Sequence, residues 1–107
     1  MLKTISFALV AAGCIAGSAL AADRAPDTTF LHASRCAGLL QSAKLGPPDA
    51  EAIKAYLKAQ RRGRNPAVLD MGEKKQRDAG FEAGRANEDQ KAKLLAEREG
   101  VCKTYSA

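Results

Sequence analysis

The sequence predicts an all-α fold: a small three- to four-helix bundle closed by one long-range disulfide. Three observations carry this. Apolar residues recur at helical rather than alternating spacing from Phe30 to Tyr105. Glycine, proline and asparagine fall between these runs, at the places where helices start and stop. Cys36 and Cys102 stand in the first and last patterned segments, so a bond between them fastens one end of the domain to the other. Such a bridge closes a loop of about 65 residues, for which loop-closure entropy gives roughly 4 kcal/mol. No strand pattern, internal repeat or second domain is visible.

The first 21 residues read as a secretory signal peptide rather than as fold. Met1-Leu2-Lys3 is a short positive start, Ile5 to Leu20 is almost wholly apolar or small, and Ala19-Leu20-Ala21 offers small residues at the cleavage positions. An uncleaved anchor is the alternative, because the apolar run approaches spanning length. Ala11-Ala12-Gly13-Cys14 is a weak lipobox, with alanine where a larger aliphatic is usual, so a lipoprotein tethered through Cys14 is a minor alternative. Cleavage after Ala21 removes 21 of 107 residues, leaving 86 in one helical domain, residues 22–107. It also removes Lys3, taking the formal charge from +5 to +4, and it leaves two of the three cysteines. Two thiols in an exported chain are expected to pair, since that compartment is oxidising. A periplasmic or secreted location is the expectation.

A domain of this size buries a thin core. Tryptophan is absent, and the only aromatic residues after the leader are Phe30, Tyr56, Phe81 and Tyr105. The bridge is therefore expected to matter for stability.

Asp27, Thr28 or Thr29 is positioned to cap a first helix running to about Leu45, with Phe30, Ala33, Ala37 and Leu40 along its apolar stripe. Gly46 suits the end of that helix, and Pro47-Pro48 cannot extend it. Asp49 is positioned to cap a second helix, or Pro48 to be its first residue; the helix ends by Gly63, with Ala50, Ile53, Tyr56 and Leu57 on one face and Lys54, Lys58 and Arg61 on another. Asn65-Pro66 is a cap followed by proline at the first helical position, opening a third helix over about Pro66 to Arg85. Within it Asp70–Lys74 and Glu73–Arg77 are spaced to pair. Ala79, Gly80, Ala83 and Gly84 form a small-residue patch, read as a close helix approach with Phe81 packed beside it. Asn87 and Gln90 match a capping box for the last helix. Gly100 is placed to end it, leaving Cys102 just beyond a helix terminus.

The chemistry-bearing patterns are few. His32 is the only histidine, and it is read as a surface residue. No haem-attachment motif, transition-metal or calcium-loop spacing, nucleophile elbow or phosphate-cradling loop is present. Glu82 and Asp78 have no credible catalytic partner at helical spacing and are read as a solvated face. No catalytic residue, metal or cofactor is expected. The feature with functional content is the cluster Lys54, Lys58, Arg61, Arg62 and Arg64 near the end of the second helix. The helix dipole is one sufficient reason for cations there. An anionic partner, whether an envelope surface or an acidic protein face, is the functional reading. Nucleic acid is disfavoured by export and by the scarcity of interleaved aromatics.

The leading expectation is therefore a small non-enzymatic periplasmic protein that binds a protein or anionic envelope partner. In size, helicity and single long-range bridge the chain is similar to the periplasmic acid-stress chaperones. That similarity is one of class, shares no residue motif and assigns no residue roles. It makes an acid- or envelope-stress chaperone the alternative: acid neutralises 12 carboxylates and leaves about 16 positive charges to loosen the bundle. A secreted inhibitor or immunity-type protein, with a tight stoichiometric partner, is a third possibility.

Overall fold

A computed structural model describes residues 24–105. The signal segment and Cys14 lie outside the described residues. Within them the chain forms four α-helices and no strand: α1 (Asp27–Gln41), α2 (Glu51–Gln60), α3 (Pro66–Arg85) and α4 (Glu88–Glu99). Short 3-10 turns at Ala43–Leu45 and Val101–Tyr105 follow α1 and α4.

Helix α1 is the centre of the bundle. Ala33, Cys36, Ala37, Leu39 and Leu40 are all fully buried on it. Ile53 of α2, Ala79 and Ala83 of α3, Leu94 of α4 and Cys102 complete the core around them. Each fully buried Leu or Ile contributes about 1.5–3 kcal/mol, so the apolar drive is concentrated in very few side chains. α2 runs antiparallel to α1: Asp49 N–H donates to Leu40 O near one end, and Ala25 N–H donates to Gln60 Oε1 near the other. α3 runs in the same direction as α1, with Phe30 beside Gly72 and Gly38 beside Gln76 and Ala79. Cys36 and Cys102 form the disulfide, with a Cα–Cα distance of 5.3 Å, and this brings the C-terminal turn onto α1.

Local signals explain most boundaries. Asn65 accepts a hydrogen bond from Ala67 N–H at 2.8 Å and Pro66 opens α3. Asn87 and Gln90 form a reciprocal capping box at α4, with bonds of 2.9 and 3.0 Å. Gly100 closes α4, and Cys102 lies in the turn beyond it. Gly46 adopts φ 138°, a conformation side chains rarely take, and turns the chain from α1 towards α2.

Two starts differ from expectation. No side chain caps α1, whose N-cap position is Pro26; Asp27 is already helical and gives its carboxylate to Arg64. α2 starts at Glu51, because Asp49 is held in the preceding turn by its bond to Leu40 O and by an ion pair to Lys103 at 3.1 Å. Helix α1 also stops at Gln41, with Leu45 in the separate 3-10 turn.

The small-residue patch on α3 is divided. Ala79 and Ala83 are buried, whereas the space a side chain would take at Gly80 and Gly84 is open, and Phe81 is 61% exposed. The close approach falls instead at Gly72 and Gly38. A Cβ on Gly72 would lie 2.9 Å from both Phe30 Cε2 and Ser34 Oγ. One on Gly38 would run into the carbonyl oxygen of Gln76 and lie 2.8 Å from Ala79 Cβ. The expected pairs on α3 are also rearranged: Lys74 binds Asp78 at 2.7 Å, and Glu73 faces Arg61, just past the end of α2, at 4.0 Å.

Candidate anionic-partner surface

Lys54, Lys58 and Arg61 recur at four- and three-residue intervals along α2 and its end, so they share one flank of the helix, to the side of buried Ile53 and Gln60. Arg62 follows in the turn closed by Gly63, whose φ of 74° favours glycine. All four cations are exposed. Among the described residues Arg61 has one distant carboxylate, Glu73 at 4.0 Å.

Arg64 does not share this surface. Its side chain is only 3% exposed and donates to Asp27 Oδ1 at 2.6 Å, Ala25 O at 2.9 Å, and Gln60 O and Oε1 at 2.8 and 3.0 Å. The guanidinium also lies 4.7 Å from the centre of the Phe30 ring. This arginine is an internal clamp that joins the end of α2 to the start of α1. In its place the surface gains Arg24, which donates to Arg62 O at 3.3 Å. Arg24 is remote in sequence from the cluster, and no spacing rule reveals it; only the fold carries the entering chain to this edge.

A second polar grouping surrounds the disulfide. Arg35 forks onto Glu97 at 2.8 and 3.0 Å and reaches Glu82 at 2.9 Å, which ties α1 to both α4 and α3. These hydrogen bonds, first to Glu97 and then to Glu82, hold the guanidinium pKa above its ordinary value against the opposing effect of burial. Glu82 therefore has a structural partner that helical spacing did not disclose. His32 is half-buried rather than free on the surface: its Nδ1 lies 3.2 Å from Tyr105 Oη and its Nε2 4.0 Å from Cys36 Sγ. Ligand atoms of His32, Cys36 and Glu97 all fall within 4.8 Å of one another. The linear sequence conceals this grouping, because its members come from both ends of the domain.

Elsewhere, buried Arg98 donates to Pro47 O and packs against the Gly46 turn, bracing the α1–α2 connection from α4. A shallow groove of about 480 Å³ between α1 and α3 is lined by Gln41, Ser42, Glu73, Gln76 and Arg77 among others. No helix among the described residues is long and apolar enough to cross a membrane. No protein-family model matches the chain, and comparison with curated proteins and with solved structures returns no match.

Proposed function

We propose that this protein is a small exported helical module, without catalytic activity, that docks through its basic edge on an anionic envelope membrane surface. The observation that carries this reading is the meeting of two features at one edge. The exposed row Lys54, Lys58, Arg61 and Arg62 lies where Arg24 and Ala25 bind Arg62 and Gln60. The apolar run of the leader ends at Leu20, four residues before Arg24, a reach of at most about 14 Å even when extended. Before the expected cleavage after Ala21 this edge therefore starts within that reach of the apolar run, and after cleavage the exposed cations alone hold it at the surface. Cations close to an acidic lipid surface each contribute about 1 kcal/mol, weakening with salt.

Sedimentation with vesicles of anionic phospholipid tests this, with uncharged phosphatidylcholine vesicles as control. The double variant Arg61→Glu, Arg62→Glu leaves the Arg64 clamp intact and should lose about tenfold or more in vesicle affinity. Equal sedimentation of both proteins with anionic vesicles would refute the proposal.

A second reading, an acid-stress chaperone, is favoured by a different observation. Arg35–Glu97, Arg35–Glu82, Arg64–Asp27 and Lys103–Asp49 all cross between elements, and each requires an ionised carboxylate. At about pH 3 carboxylates are protonated, and the remaining charge is all positive. This reading requires protection of an acid-aggregating client at that pH, and a failure to protect removes it.

A further inference from the structure

We infer that the disulfide region is a latent zinc site: once Cys36 and Cys102 are reduced, they and His32, joined by Glu97, form a four-ligand set for Zn2+. The geometry starts from what the oxidised fold already holds together. His32 and Cys36 are one turn apart on α1, with Nε2 4.0 Å from Sγ. Glu97 arrives from α4, within 4.8 Å of the other two ligand atoms. Cys102 is held to the same point by the bridge, its Cα 5.3 Å from that of Cys36. Tetrahedral Zn2+ takes thiolate, imidazole and carboxylate ligands, with Zn–S near 2.3 Å, which separates two ligating sulfurs by about 3.7–3.8 Å. Side-chain rotation of the two reduced cysteines, whose backbones are already adjacent, reaches that separation.

The surrounding groups suit a metal as well. Metal-bound histidines commonly fix their second nitrogen with a hydrogen bond; here Tyr105 Oη lies 3.2 Å from Nδ1, while Nε2 is the nitrogen beside the sulfur. With Nδ1–H donating to that oxygen, Nε2 carries the free lone pair. Glu97 is oriented by the fork of Arg35. Two thiolates and one carboxylate exceed the charge of a divalent ion by one; the Arg35 cation offsets that charge, and Glu82 on the same guanidinium leaves one negative charge at the half-exposed rim. This balance favours zinc over an unligated thiolate pair beside the same carboxylate.

The chemistry balances as follows. A dithiol reductant supplies two electrons and two protons, is itself oxidised to a disulfide, and converts the Cys36–Cys102 bond into two thiols. Zinc then displaces the two thiol protons and becomes bonded to both sulfurs, to His32 Nε2 and to a Glu97 oxygen. The metal takes over the cross-link, so α1 and the C-terminal turn stay joined in either state. This inference does not depend on membrane docking.

The test uses purified protein, reduced with a dithiol, freed of reductant without air, and titrated with Co2+ as a spectroscopic probe. The expected result is one equivalent bound, a thiolate-to-cobalt charge-transfer band, tetrahedral ligand-field bands, and loss of all of them on adding Zn2+. The oxidised protein should show none of these. His32→Ala and Glu97→Gln should each weaken binding by about tenfold or more, while melting of their oxidised forms checks that the fold persists. Far-UV circular dichroism of the reduced protein covers the case in which reduction unfolds it: one equivalent of Zn2+ should then restore helix. Absence of the charge-transfer band, wild-type affinity in both variants, or failure of zinc to restore lost helix would each overturn the proposal.

Discussion

Helix α1 is fastened on two flanks by opposite means. Towards the C-terminal turn it is joined by one covalent bond, Cys36–Cys102, with His32 and Tyr105 beside it. Towards α3 it is joined by the absence of side chains, at Gly38 and Gly72, where neighbouring atoms already occupy the space. The bond acts mainly by restricting the unfolded chain and tolerates modest local change. The seam acts only in the native state and tolerates almost none, because close-packed backbone cannot yield to an added methyl group. A domain short of large apolar residues thus uses two different remedies on one helix.

Breaking the covalent flank gives the largest expected effect. Cys36→Ser or Cys102→Ser should remove about 4 kcal/mol, which lowers the melting temperature by on the order of 20 °C in a domain of this size. Circular dichroism melts of the oxidised wild type and the variants measure it. An unchanged melt would mean that the glycine seam and the ion pairs hold α1 unaided.

Breaking the seam comes next. Gly38→Ala places its methyl against the Gln76 carbonyl, which belongs to the backbone of α3 and cannot swing aside. Overpacking of this kind costs about 1–3 kcal/mol. Gly72→Ala meets the side chains of Phe30 and Ser34, which can move, so its loss should be the smaller of the two. Urea unfolding of the pair orders them, and the reverse order would show that α3 shifts more easily than Phe30 repacks.

How much of this could be read beforehand divides along the same line. Both ends of α3 and the capped start of α4 were legible, because Asn65-Pro66 and Asn87…Gln90 act within four residues of themselves. The cysteine pairing is legible because Cys36 and Cys102 stand in the first and last patterned segments and are the two cysteines among the described residues. The place of the seam is not legible, since Gly80 and Gly84 satisfy the small-residue pattern equally well; whether a neighbour approaches depends on the rotation of α3 about its axis. Arg64 falls with its sequence neighbours in the basic cluster for a similar reason. Its acceptor, Asp27, lies 37 positions away, and no local spacing announces that pairing. Arg24 and the grouping of His32, Cys36 and Glu97 are likewise products of closure rather than of any one segment.

The groove beside the seam, which Gly80 lines, sharpens the contrast. Gly80 has nothing within 4 Å of the position a Cβ would take. Gly80→Ala should therefore stabilise the protein by about 1 kcal/mol, the ordinary advantage of alanine over glycine inside a helix. The same chemical change at Gly38 and Gly80 should move the urea midpoint in opposite directions. If both destabilise, the open face of α3 is covered by a partner or by another copy of the chain.

The smallest effect belongs to the covalent flank and is read through pH. Burial raises the pKa of Tyr105 above the ordinary tyrosine value, and the nearby Tyr56 pushes it further in the same direction. The sign follows from proton binding. As pH rises past about 10, the unfolded chain releases the Tyr105 proton while the folded protein retains it, so ionisation favours unfolding. The contribution is complete below the unfolded value and is lost as pH climbs through the folded one. Urea unfolding at about pH 9 and about pH 11 should therefore show a larger loss in wild type than in Tyr105→Phe. The variant also gives up the contact with His32 Nδ1, which lowers its stability by about 0.5–1.5 kcal/mol at the lower pH. Offset and slope are thus separable in one pair of proteins. An equal alkaline loss in both would assign the titration to another group and leave Tyr105 with only its packing against the bridge.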